Sequence, residues 1–119
     1  MSLGGALLAA AGLIGCATPP GSKKGILDDD PAVRIRAIKA AGEHHNIAAV
    51  KDLVTELSDE DPAVRFYAIR ALKQITGEDM KYCYYQEQHQ RKEAVERWRA
   101  WLKAQQDPAA ATTRQATVE

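Results

Sequence analysis

Nowhere in the 119 residues do apolar and polar side chains alternate with a period of two, so no segment reads as a β-strand. An excess of charge of one sign is missing as well. The 16 Lys+Arg stand against 16 Asp+Glu, and the chain as a whole sets up no field that would draw it to nucleic acid or to an anionic membrane. No apolar run approaches the ~20 residues that an α-helix needs to cross a bilayer. GxSxG, HExxH and a glycine-rich phosphate loop are absent, which removes the chemistries those motifs carry. His44, His45, Cys83 and His89 are the only soft ligands besides Cys16, and without CxxC or HxxxH spacing they form no metal-binding pattern. Cys83 and His89 imitate a nucleophile and its base, but no third group is at hand to orient the imidazole. The chain therefore reads as no enzyme, with no cofactor, no metal and no small-molecule substrate.

Charge is also missing from one particular place, since residues 1–22 contain no Lys, Arg, Asp or Glu. Within them, residues 6–15 form an apolar stretch about as long as the core of a signal peptide. It ends in Leu13, Ile14, Gly15 and Cys16, which resembles the lipobox of bacterial lipoproteins: an aliphatic residue at minus three, a small one at minus one and Cys at plus one. The resemblance implies that Cys16 is lipidated, that the chain is cut before it, and that the new N-terminus is acylated too. Each buried CH₂ contributes ~0.8 kcal/mol, so two or three acyl chains hold firmly where one holds marginally. Residues 1–15 would then be a signal peptide and 16–25, rich in Pro, Gly and small residues, a flexible tether. The implied location is the bacterial cell envelope, lipid-anchored on its periplasmic or surface side. MSLGG carries no Lys or Arg, and a soluble intracellular accessory protein is the alternative.

What the sequence does have is repetition. DPAVR occurs at 30–34 and again at 61–65, and the match widens to DDDPAVRIRAIKAAG against DEDPAVRFYAIRALK. In the first copy, Asp30 is suited to cap a helix and Pro31 to occupy its first turn, followed by Val33, Ala37, Ile38, Ala40 and Ala41 at helical spacing and closed by Gly42. Asn46 is predicted to cap a second helix carrying Val50, Leu53, Val54 and Leu57. Asp61 and Pro62 start a third, with Val64, Ala68, Ile69, Leu72 and Ile75 on its stripe and Gly77 at its end. The stretch 78–89 has no period and reads as a structured loop holding Tyr82, Tyr84 and Tyr85. A last helix over about 90–104 lines up Ala94, Val95, Trp98, Trp101 and Leu102. Its Arg91, Lys92, Arg97, Arg99 and Lys103 are interrupted by Glu93 and Glu96, so they read as a solvated face with no nucleic acid bound. Residues 105–119 read as a disordered tail.

A helical unit of this length cannot bury its apolar face alone and must stack on neighbours. The residues resemble the HEAT-repeat family, in particular its short bacterial type, whose turn reads D-x-D/E-x-x-V-R and leads into an Ala-rich second helix. Asp28, Asp30, Pro31, Val33, Arg34 and Ala37 match in one copy, and Asp59, Asp61, Pro62, Val64, Arg65 and Ala68 in the other. The resemblance implies an all-α fold over 26–104: a short stack of about four helices whose first unit has lost its first helix. A C-terminal helix would cap the open end through Trp98 and Trp101. It further implies that Asp28 or Asp59 pairs with Arg34 or Arg65 between repeats, as a bidentate contact that fixes their angle. The implied role is a non-catalytic protein-interaction or scaffold module with an unidentified protein partner, joined to a membrane through the lipid anchor; a nucleic-acid binder is the weaker alternative.

Overall fold

The structure, a computed structural model, describes residues 23–107 and Ala109. Cys16, the signal peptide, the tether up to residue 22 and, of the 105–119 tail, residues 108 and 110–119 lie outside the described residues. The predicted all-α stack is what forms. It consists of one turn, α1 (Lys23–Ile26), then α2 (Pro31–Glu43), a 3₁₀ turn (Ile47–Ala49) running into α3 (Val50–Glu56), α4 (Pro62–Thr76) and α5 (Gln88–Gln106), with no strand among the described residues.

The repeated letters act at the two helix starts. Asp30 Oδ1 accepts from the Ala32 N–H at 2.9 Å, and Asp61 Oδ1 from that of Ala63 at 2.8 Å, so each satisfies one of the orphan amides of its first turn. The acid two residues earlier has a different task. Asp28 Oδ1 accepts from the Asp30 N–H at 3.0 Å and Asp59 Oδ1 from the Asp61 N–H at 2.8 Å, folding the turn that presents the cap. The prolines after the caps bring the helical φ already set and no N–H to lose.

The helix ends depart from the sequence reading more than the starts do. Gly77 closes α4 in the left-handed conformation, φ 77°, as its position suggests. Gly42, by contrast, does not close α2, which runs on to Glu43 and turns at His45, φ 49°. A Cβ on Gly42 would lie 3.0 Å from Ala71 Cα and 2.3 Å from Gln74 Oε1, so α2 and α4 approach closely at this glycine. Asn46 makes no side-chain cap, and α3 is instead led in by the 3₁₀ turn.

Two layers result. α2 packs along α4 in one, while α1 and α3 lie in the other, α1 against α2 and α3 against α4. The first unit has therefore kept one turn of its first helix, enough to bury Ile26 completely. Ile38, Leu53, Leu57, Val64, Leu72 and Trp98 complete the fully buried set of large side chains, and every helix but the single-turn α1 contributes through its apolar stripe.

After Gly77 the chain doubles back. Met80 and Lys81 both take positive φ, held by Asp79, whose Oδ1 accepts from the Lys81 N–H at 2.9 Å. The loop then meets the opposite end of α4, where the Tyr84 carbonyl receives a bond from Arg65, a return along a helix ~22 Å long. α5 consequently starts beside Leu57 and Ser58, with Gln88 and Val95, and ends beside Ile47 and Val50, with Trp101 and Leu102. It runs antiparallel to α3 and covers that helix on the side where a third repeat would stand. It begins two residues before the predicted start and reaches Gln106.

Candidate functional site

Arg34 and Arg65 occupy equivalent places in the two units and begin their work identically. Arg34 Nη1 donates to the carbonyls of Asp28 at 2.7 Å and Asp29 at 3.1 Å; Arg65 Nη1 donates to those of Asp59 at 2.8 Å and Glu60 at 2.9 Å. Each guanidinium thus closes the turn of its own unit by absorbing carbonyls left free ahead of the helix.

Their remaining nitrogens reach different things. Arg34 Nη2 lies 3.0 Å from Asp59 Oδ2, and its Nε 3.3 Å from Glu56 Oε2, so a single guanidinium of the first unit faces two carboxylates of the second. The side chains are nearly closed off from water, at 14%, 15% and 8% exposure for Arg34, Asp59 and Glu56, where Coulomb attraction is weakly screened. The contact is a fork over two acids, whereas the sequence reading expects a bidentate grip on one. Arg65 has no carboxylate within ion-pair distance among the described residues. Its Nε donates to the Tyr84 carbonyl at 3.0 Å, so the tyrosine loop offers a backbone oxygen where a further repeat would offer an acid. Among the described residues Asp28 meets no arginine with its carboxylate, which is used on Asp30.

Glu56 escaped the sequence reading. It adjoins Leu57 and lies three residues from Leu53, on the flank of the α3 stripe, and is only 6% exposed. Burial, reinforced by the neighbouring Asp59 carboxylate and opposed by Arg34, pushes its pKa up to about 7. One guanidinium cannot neutralise two buried carboxylates, and below about pH 7 a proton on Glu56 removes the surplus charge.

The tyrosine loop is fastened at several points. The Tyr82 hydroxyl donates to the Leu57 carbonyl at 2.7 Å, and burial raises its pKa to about 12. Arg97 Nε donates to the Met80 carbonyl at 2.9 Å and Arg91 Nη1 to that of Gln86. Trp98 is fully buried with its ring centroid 5.6 Å from that of Trp101 in an edge-to-face pair, while Trp101 is half-buried on the rim.

The family model described as HEAT repeats matches residues 23–83, 61 of the 119 residues. The chain belongs to the HEAT-repeat family. No curated protein and no solved structure matches it. HEAT repeats are protein-interaction and scaffold modules, and this family is generally non-catalytic. The match stops at Cys83, before α5, so the helix that covers α3 is an addition to the repeats.

Around this HEAT scaffold the other candidate residues stay apart. His44 and His45 sit exposed beyond the end of α2, His89 is exposed at the start of α5, and no three His, Cys, Asp or Glu side chains converge as metal ligands among the described residues. Cys83 is a free thiol, half-buried in the tyrosine loop. No described helix is long and apolar enough to cross a membrane. Charge is segregated on the outer surface: Asp28, Asp29, Glu60 and Asp61 rim an open groove at the helix starts, while Lys39 and Arg70 line a cleft between α2 and α4.

Proposed function

We propose that this HEAT-repeat chain is a non-catalytic interaction module held at a bacterial envelope membrane by lipid on Cys16. The observation that carries the interaction reading is the junction. The charged residues common to both units engage one another and the backbone, so they leave no reactive group, and what they produce is a fixed angle between the two helical units. A rigid surface of that kind binds without losing freedom of its own, which lowers the cost of association.

Support for the anchor comes from the uncharged residues 1–22 and from Leu13, Ile14, Gly15 and Cys16 within them. Six residues lie between Cys16 and Lys23, a short leash that would keep the helices close to the lipid surface. Labelling of cells with a palmitate analogue tests this directly. The expected result is incorporation into the wild-type chain, none into Cys16→Ser, and accumulation of the uncut form under globomycin. A Cys16→Ser protein that still sediments with membranes would refute lipid anchoring, leaving a soluble accessory protein as the reading.

A further inference from the structure

The charges of this neutral chain are sorted by place, and one group of cations makes no ion pair among the described residues. Arg36, Lys39, Arg70 and Lys73 are all exposed on α2 and α4, and the ion pairs among the described residues involve only Arg34 and Arg99 as cations. Lys39 on α2 and Arg70 on α4 line the α2/α4 cleft together with Tyr67, Glu43 and Gln74. Lys39 Nζ stands 5.5 Å over the Tyr67 ring, the one attractive contact recorded for this group. Arg36 lies three residues before Lys39 on α2 and Lys73 three residues after Arg70 on α4, so both add positive charge to the same two helices.

We infer that the α2/α4 cleft docks a short acidic segment of a partner protein, a proposal that rests on the interaction reading above and names its surface and chemistry. Like charges brought together repel, the single carboxylate of Glu43 offsets only part of that excess, and an entering carboxylate turns the remaining repulsion into attraction. Arg70 presents the planar fork that grips a carboxylate with two hydrogen bonds, and Tyr67 gives apolar area beside it. The aromatic surface continues from Tyr67 through Phe66 and Tyr84 to Tyr85 with successive ring centroids 5.1 Å apart, and Tyr85 is 75% exposed. An acidic segment with apolar residues next to it finds both needs met along this line.

The limits of the patch select among anions. Asp28, Asp29, Glu60 and Asp61 lie at the starts of the same two helices and Glu43 lines the cleft itself, so a nucleic acid continuing along α2 and α4 past the cations would run onto carboxylates. A flat anionic bilayer would meet the same acids and would not enter a cleft. A short peptide avoids both.

The test uses the full chain with a fluorescein-labelled peptide rich in Glu, Asp and Leu, and its Gln/Asn counterpart as control. The acidic peptide is expected to bind at low salt and to weaken as salt rises, and Lys39→Glu with Arg70→Glu to cost about tenfold or more in affinity. Lys92→Glu with Lys103→Glu on α5 is expected to leave it within about twofold. Should the first reversal lower the melting temperature, Arg70→Gln replaces it, with a smaller loss expected. Equal binding of the neutral peptide, no loss in the α2/α4 variants, or an equal loss in the α5 variant overturns the inference. So does tighter binding of a single-stranded oligonucleotide or of phosphatidylglycerol vesicles through the same two residues. Crosslinking in cells separates the two levels: a protein trapped alike by wild type and Lys39→Glu/Arg70→Glu leaves the interaction reading standing and removes this surface from it.

Discussion

One arginine between two acids makes the junction sensitive to pH. Glu56 has a folded pKa of about 7 against 4.5 when unfolded, so the folded form holds a proton that the unfolded chain has released across that interval. The stability this group contributes is fully present below about pH 4.5 and is lost as pH rises through about 7. Glu56→Gln mimics the protonated side chain at every pH. Relative to that variant, the wild type is expected to lose roughly 1 to 3 kcal/mol between about pH 5 and pH 8, read from urea midpoints across the range. Equal profiles for the two proteins would show that Glu56 does not titrate in the junction. At this scale the sequence displayed the recurring acids and arginines, because capping and turn chemistry is written in neighbouring letters. It did not display Glu56, whose burial depends on which elements close over the flank of α3, nor that Arg65 would bind carbonyls.

Two glycines show how elements are placed. Gly77 ends α4 with positive φ, while Gly42 lies in regular helix and is there for closeness. Gly42→Ala gains up to about 1 kcal/mol of helix propensity, yet its methyl meets Ala71 Cα on the facing helix, a contact that cannot rotate away. The net expectation is a loss of roughly 1 to 2 kcal/mol, seen as a lower midpoint in chemical denaturation, and an unchanged or higher midpoint would mean the helices part freely. Helix starts were legible in the sequence because Asp and Pro act on their own turn. Helix ends were less so: Gly42 looks like a terminator until its neighbour on α4 is known, and Asn46 looks like a cap until the 3₁₀ turn is seen. The direction of α5 was hidden as well, since it is set by a loop with no period, tied down by Arg65, Tyr82 and Arg97 at points distant in sequence.

For the molecule as a whole, two repeats are fewer than a solenoid needs, and α5 makes up the difference by covering α3. A helical core of this size rarely leaves more than ~3 to 5 kcal/mol of net stability. Trp98→Ala removes a fully buried indole and should cost about 3 to 5 kcal/mol, leaving the chain largely unfolded by circular dichroism at room temperature. A variant melting within a few degrees of the parent would show that α5 is an accessory to the stack. The all-α class and the repeat were open to reading because the second copy confirms the first letter by letter. The sorting of charge onto separate faces was not, since it appears only when α2 and α4 lie side by side. All of this depends on the units being fastened to each other through Arg34 and Asp59, and a double-mutant cycle measures that fastening most directly. Asp59→Asn keeps the oxygen that accepts from the Asp61 N–H while removing the charge, and Arg34→Met removes the guanidinium. A coupling energy of roughly 1 to 3 kcal/mol from urea denaturation at neutral pH is the expected result. Additive single-mutant effects, with coupling near zero, would contradict it.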